Sequence, residues 1–237
     1  MSTQFHEAVK AILAMPYYKN EAARSGGADY GHEAAVAVRV AGAGFTEVNK
    51  DQFPKLTKAM LKKFARTCDD SEVKQALQGL PLGSYILQPS GSQGFPDVLI
   101  HDFDSRFICL ECKSGKGKSP MWNDSVPNPE SIYVFASSSL NETTVFLGMD
   151  VLSEEERLIH DECEAEIKLV VEKYKAKSEA ADKNNRGFYQ DSRKQHFQAG
   201  GKKKTNYFTH TDRSKCEANT LEYALNDQTT QASQPTP

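Results

Sequence analysis

Residues 95–113, FPDVLIHDFDSRFICLECK, constrain the fold more than any other stretch of this 237-residue chain. Two apolar runs, 97–100 and 107–113, flank a polar break at 101–106 that holds two aspartates and a serine. That is the pattern of two β-strands joined by a turn. Side chains alternate between the faces of a strand, so Glu111 and Lys113 share one face and Ile108, Leu110 and Cys112 take the other. Asp97 opens the partner strand and can reach the same place. An acid and a base held side by side on an otherwise apolar strand need explaining, either as a reactive site or as a surface hairpin carrying an ordinary Glu–Lys pair.

Pro96-Asp97, thirteen intervening residues, and then Glu111-x-Lys113 resembles the active-site signature of the PD-(D/E)XK nucleases, and within them the type II restriction endonucleases. The resemblance implies an α/β (α+β) fold with a central mixed β-sheet flanked by helices, a restriction-endonuclease-like core. It also implies Mg²⁺-dependent hydrolysis of double-stranded DNA at specific sequences. The residue types suit that chemistry. Carboxylates bind hard divalent cations through oxygen. The metal polarises the phosphodiester and acidifies a bound water, and a lysine orients or deprotonates that water and offsets transition-state charge. In this reading Asp97 and Glu111 ligate the metal, the main-chain carbonyl of Cys112 adds a ligand, and Lys113 serves the water. A glutamate on the preceding helix often joins the site in this family, and Glu33 in GHEAAVAVRVAGAGF has that look. A first-turn glutamate favoured by the helix dipole is the alternative for Glu33. Other readings are a structure-selective repair or recombination nuclease of the same superfamily, and a non-cleaving DNA-binding protein.

The chain is 38% hydrophobic and 26% charged, as expected of a globular protein, and no apolar run approaches the length of a membrane span. No basic-then-apolar leader opens it. Five scattered cysteines fit a reducing cytoplasm better than a disulfide framework, and the resemblance implies that of a bacterium or archaeon. Cys109-x-x-Cys112 with His160-x-x-Cys163 has zinc-ligand spacing, but residues three apart on a strand face opposite ways, which disfavours it.

Along the chain, helices are expected over 4–14, 31–43, 54–66 with Pro54 at the start, and 70–78. Strands are expected at 45–48, 85–88, 132–136 and 144–147. The 54–66 helix carries Lys55, Lys58, Lys62, Lys63 and Arg66, either a solvated face or a flank against DNA. Ser153-Glu-Glu-Glu156 is a capping box that starts a long helix running to about 180. Its apolar stripe, Ile159, Cys163, Ile167, Val170, Val171 and Tyr174, is expected in the core, with a dimer seam as the alternative. The stretch 114–130 is rich in Pro and Gly and reads as irregular, whereas family members often place a helix there.

Net charge is −3, which alone disfavours a polyanion partner, but its distribution does not. Residues 183–215 hold nine Lys and Arg against two Asp, +7, leaving −10 on the rest. Lysine and arginine grip phosphates, and Arg, Asn and Gln can read base edges. The expected duplex-DNA contacts are Ser92 and Gln93 in the loop before Pro96, and Lys116, Lys118 and Asn123 after the Glu-x-Lys strand. Arg186, Arg193, Lys194, Gln195, Lys202, Lys203, Lys204, Asn206 and Arg213 follow in the basic segment. Phe188, Tyr189, Phe197, Tyr207 and Phe208 either anchor that segment or stack on bases. Trp122 reads as a packing anchor. The expected organisation is one nuclease domain over 1–225, with its core at about 30–180 and the recognition segment at about 183–215. A disordered tail is expected at 226–237. Restriction enzymes of this kind often pair as homodimers, so a homodimer is a possible partner state alongside DNA and the divalent metal.

Overall fold

The 95–113 pattern is realised as a β-hairpin inside a mixed sheet. A computed structural model describes residues 3–17, 30–92, 94–123, 126–188, 195–196, 198 and 206–225. In chain order the elements begin with α1 (Thr3–Leu13), α2 (Tyr30–Gly42), β1 (Thr46–Glu47), α3 (Lys58–Thr67) and α4 (Ser71–Ala76). Next come β2 (Ser84–Leu87), β3 (Val98–His101), β4 (Phe107–Gly115), β5 (Trp122–Asn123), β6 (Ser131–Ser137) and β7 (Glu142–Leu147). The chain continues through α5 (Gly148–Val151), α6 (Glu154–Ala181), β8 (Gln195–His196) and α7 (Arg213–Leu225).

Among the described residues, six strands form one sheet in the order β1-β2-β3-β4-β6-β7. β1 with β2 and β4 with β6 run parallel; the other neighbours are antiparallel. The fold is therefore α+β, a mixed sheet flanked by helices. Alternation sorts β4 as expected. Ile108, Leu110 and partly Cys112 pack with Val98, Ile100, α1, α2 and α7 on one face. Phe107 and Cys109 pack with Leu99, α3 and α4 on the other. An aromatic cluster, Trp122, Tyr133, Phe135, Phe146 and Phe208, covers the far end of that second face. The β3–β4 turn is held by Asp102, which is fully buried and takes the N–H of Asp104 (2.9 Å), the N–H of Arg106 (2.8 Å) and the Arg106 Nε (2.8 Å). Arg106 also donates to the Tyr223 carbonyl at 2.9 Å, tying the end of α7 to the hairpin.

Two expectations are corrected. α3 starts at Lys58 rather than Pro54, because the Thr57 hydroxyl accepts from the Met60 N–H and caps the helix there. Its basic face is partly paired: Lys63 reaches Glu72 at 2.7 Å, and Arg66 forks onto Asp161 of α6. The second correction is the stripe on α6. The capping box at Ser153 and Glu156 is present, but Arg157 is the helix's one buried residue. Ile159, Ile167, Val170 and Tyr174 are 60%, 46%, 54% and 51% exposed, so the stripe is not core. Helical periodicity shows that one side is apolar, not what lies against it. The β4-to-β6 connection contains β5 as the one regular element among its described residues, in place of the helix that usually joins parallel strands. No helix among the described residues is long and apolar enough to cross a membrane.

Candidate active site

Register brings the acids and the lysine together. Val98 of β3 lies opposite Leu110 of β4, so Asp97, one step further, falls opposite Glu111. Asp97 Oδ2 accepts the Cys112 N–H at 2.7 Å. This bond occupies the edge of β4 just past the end of β3, where a third strand residue would otherwise pair. Within an extended strand a residue's N–H and C=O point to the same edge, so the Cys112 carbonyl also turns toward Asp97. The Cys112 side chain goes the other way, into the core. Lys113 Nζ donates to Glu111 Oε1 at 2.7 Å, with the two side chains only 20% and 13% exposed. Glu111 Oε2 is buried and has no hydrogen-bond partner among the described residues.

Glu33 approaches from the first turn of α2. Its Oε2 accepts from the Gln88 side-chain amide at 3.0 Å. Gln88 in turn donates its main-chain N–H to the Asp97 carbonyl at 2.7 Å. Gln88 sits at φ +45°, in the left-handed region that costs a non-glycine residue free energy. It is the one residue of the cluster missed in the sequence. Nothing about a glutamine after a short strand marks it; its place follows from the backbone turn that joins β2 to the loop before Asp97. A strained conformation retained beside three carboxylates fits a site rather than a packing need.

The electrostatics follow from burial and crowding. Burial first, then the charges of Glu111 and Glu33, raise the Asp97 carboxyl, while the Cys112 N–H and the Lys113 ammonium pull it down; it is pushed up to about 8. For Lys113, burial opposes the charge, but Glu111 and then Asp97 outweigh it and hold the ammonium above its usual range. The Cys112 thiol is driven well up, by burial and then by Asp97, Glu33 and Glu111, so it stays protonated. At neutral pH burial and crowding favour the protonated form of Asp97, while Lys113 stays a cation beside Glu111.

Other predicted residues separate into groups. Lys116 and Lys118 are exposed on the chain that continues from β4. The Tyr207 N–H donates to the Lys118 carbonyl at 2.9 Å, and β5 pairs with β8, placing Trp122 opposite His196 and Asn123 opposite Gln195. Residues 195–196 and 207 of the basic segment are thus tied to the loop that leaves the site. Tyr207 and Phe208 serve as anchors, Phe208 packing 5.5 Å from the Phe135 ring, and Trp122 is buried as expected. Asn206 is buried and its side chain accepts the Phe208 N–H at 3.1 Å, a turn-forming role and not an open base contact. Arg213 is engaged with Glu217 at 2.8 Å and Glu142 at 3.0 Å and lies over the Phe208 ring, so it braces α7 against β7. Ser92 is exposed in the loop before Pro96, and Arg186 is exposed just past α6. Gln93, Arg193, Lys194, Lys202, Lys203 and Lys204 lie outside the described residues, as do the side chains of Asn123 and Gln195 and the expected tail at 226–237.

For a zinc site, Cys109 and Cys112 belong to cores on opposite faces of the sheet and Cys163 is exposed on α6. Among the described residues no group of three or more His, Cys, Asp and Glu side chains is drawn together at metal-binding spacing. The candidate donors at the hairpin are two carboxylates and a main-chain carbonyl. No protein-family model matches this sequence, no curated protein matches it, and no solved structure matches the chain.

Proposed function

We propose that this protein is a Mg²⁺-dependent endonuclease that cleaves double-stranded DNA at specific sequences, on a restriction-endonuclease-like core. One observation carries the reading. Lys113 stands 2.7 Å from Glu111 with the second Glu111 oxygen buried and unpartnered among the described residues, and Asp97 lies opposite, one residue before the neighbouring strand. An unpaired buried carboxylate oxygen is costly unless something positive meets it. Asp97, pushed up to about 8, reports the same shortage of positive charge. Hard oxygen donors of this kind fit Mg²⁺.

Asp97, Glu111 and the Cys112 carbonyl would hold the ion. When bound, it supplies Lewis-acid polarisation of the scissile phosphate. Lys113, kept protonated, donates a hydrogen bond that orients the attacking water and offsets the charge that grows on the phosphate. It acts as a fixed cation and not as a base. Gln88 holds Glu33 toward Asp97, so Glu33 adds a third carboxylate from the α2 side. Lys116 and Lys118 bind backbone phosphates on leaving the site, and the 183–215 segment adds the remaining positive charge. Arg186, Arg193 and Gln195 of that segment, with Asn123 from the loop after β4, are the proposed base readers.

The test is incubation of the full chain with phage DNA and Mg²⁺, followed by end sequencing, beside Lys113→Ala and an EDTA control. Discrete ends from the wild type, none from the other two, and unchanged DNA retention by Lys113→Ala are expected. Full cleavage by Lys113→Ala would remove the assignment. Cleavage only of branched or mismatched substrates would favour a repair-type nuclease instead.

A further inference from the structure

The α6 helix spans 28 residues, about 42 Å at 1.5 Å per residue, and among the described residues its one buried side chain, Arg157, lies at its base. Arg157 is buried there, donating to the Leu152 carbonyl at 3.2 Å and pairing with Glu154, and Asp161 takes Arg66. From Ile159 onward the helix exposes a continuous apolar stripe that nothing among the described residues covers: Ile159, Cys163, Ile167, Val170 and Tyr174.

We infer that this stripe is the seam of a homodimer in which α6 packs antiparallel against α6 of a second copy. Two features of the helix choose this occupant. The first is positional symmetry. A two-fold axis passing between residues 166 and 167 sets Ile159 against Tyr174 of the second copy and Cys163 against Val170, and brings the two Ile167 side chains together at the centre. A stripe that maps onto itself this way is what an isologous contact requires. The second is charge. Residues 154–166 carry seven Asp and Glu against one Arg, whereas 167–181 carry four Lys against two Glu. Antiparallel pairing lays the acidic half of each helix along the lysine half of the other, with Glu155, Glu156, Glu162 and Glu166 meeting Lys168, Lys173 and Lys177. Parallel pairing would stack acid on acid for half the length, which costs free energy. Tyr174, flanked by Lys173 and Lys177 within 6.0 and 5.0 Å of its ring, would cap the seam at each end. One helix pair buries less area than large obligate interfaces, so the association is of the weak, concentration-dependent class.

The experiment is sedimentation of the full chain over a concentration series from about 1 to about 200 µM, without DNA or divalent metal, so that its result is independent of the nuclease reading. The wild type should shift from monomer to dimer within that range. Ile167→Asp, which introduces two facing charges at the centre, should weaken association by more than about 100-fold. Ile167 is exposed, so an unchanged circular dichroism spectrum is expected for the variant. In Val170→Cys, mild oxidation should link Cys163 of one chain to the introduced thiol of the other, as read by peptide mapping, because the two α-carbons come within disulfide reach only in the antiparallel pairing. A wild type that stays monomeric throughout would overturn the inference. So would a dimer untouched by Ile167→Asp, as expected if another protein or another surface is the true partner. A link between the two copies of Cys163, in place of one to the introduced thiol, would overturn it as well.

Discussion

Replacing Asp97 by asparagine separates the cost of the acid cluster from its use. Unfolded, Asp97 releases its proton near the ordinary aspartate value of about 3.9. Folded, it holds the proton up to about 8, because burial, Glu111 and Glu33 disfavour its charge. Its contribution to stability is therefore fully present below about pH 4 and is lost as pH rises toward 8. With each pH unit between those limits adding the free energy of one pKa unit, the penalty is on the order of a kcal/mol at pH 5 and several kcal/mol at pH 7. Asparagine keeps an oxygen to accept the Cys112 N–H and carries no charge at either pH. The variant should therefore be the more stable protein, with its advantage widening by about 2 to 3 kcal/mol between pH 5 and pH 7. For a chain of this size that widening is roughly 5 to 10 °C in Tm. Urea melts of both proteins at the two pH values measure it directly. Mg²⁺ at pH 7.5 should raise the wild type's midpoint and leave Asp97→Asn unmoved, since binding the ion displaces the proton. A stability gap that stays constant from pH 5 to pH 7 would refute the reasoning, because it would mean that Asp97 ionises normally in the folded protein.

Gln88→Gly removes the amide that holds Glu33 and relieves the φ of +45°; it should leave stability equal or higher by up to about 1 kcal/mol while lowering cleavage about tenfold, as read by melts and single-turnover kinetics. Cleavage at fixed, subsaturating Mg²⁺ should rise with pH up to about 8 and then level, following loss of the Asp97 proton; a profile flat from pH 5 to 8 would contradict it. Phe208→Ala, which empties the place beside Phe135, should cost about 3 kcal/mol and weaken DNA binding by loosening the basic segment's anchor. Gly148→Ala should cost at least about 2 kcal/mol in urea denaturation, because an added Cβ would collide with the Asn128 main-chain carbonyl.

The hairpin is legible in the sequence because its signals are local: alternation puts Glu111 and Lys113 on one face, and a polar turn fixes the register that brings Asp97 opposite. The capping box at Ser153 is legible for the same reason. Pro54 misleads about where α3 begins, since proline permits a helix start but the Thr57 hydroxyl supplies the missing acceptor. The α6 stripe is apolar as its spacing says, yet it is not core, because a period of 3.6 records which side of a helix is greasy and nothing of its surroundings. Gln88 and the buried turn at Asn206 are invisible for a related reason. Their roles arise from backbone conformation and from contacts between residues distant in sequence, as when Gln88 reaches Glu33 across 55 positions.

Binding of Mn²⁺, a spectroscopic stand-in for Mg²⁺, tests the centre of this account most directly. Titration of the full chain, followed by electron paramagnetic resonance at pH 8 with duplex DNA present, should show a saturable site in the wild type. Glu111→Ala should abolish it, since that change removes the oxygen now buried without a partner among the described residues. Equal binding by both proteins, or no binding by the wild type at millimolar ion, would contradict a metal centre at the hairpin.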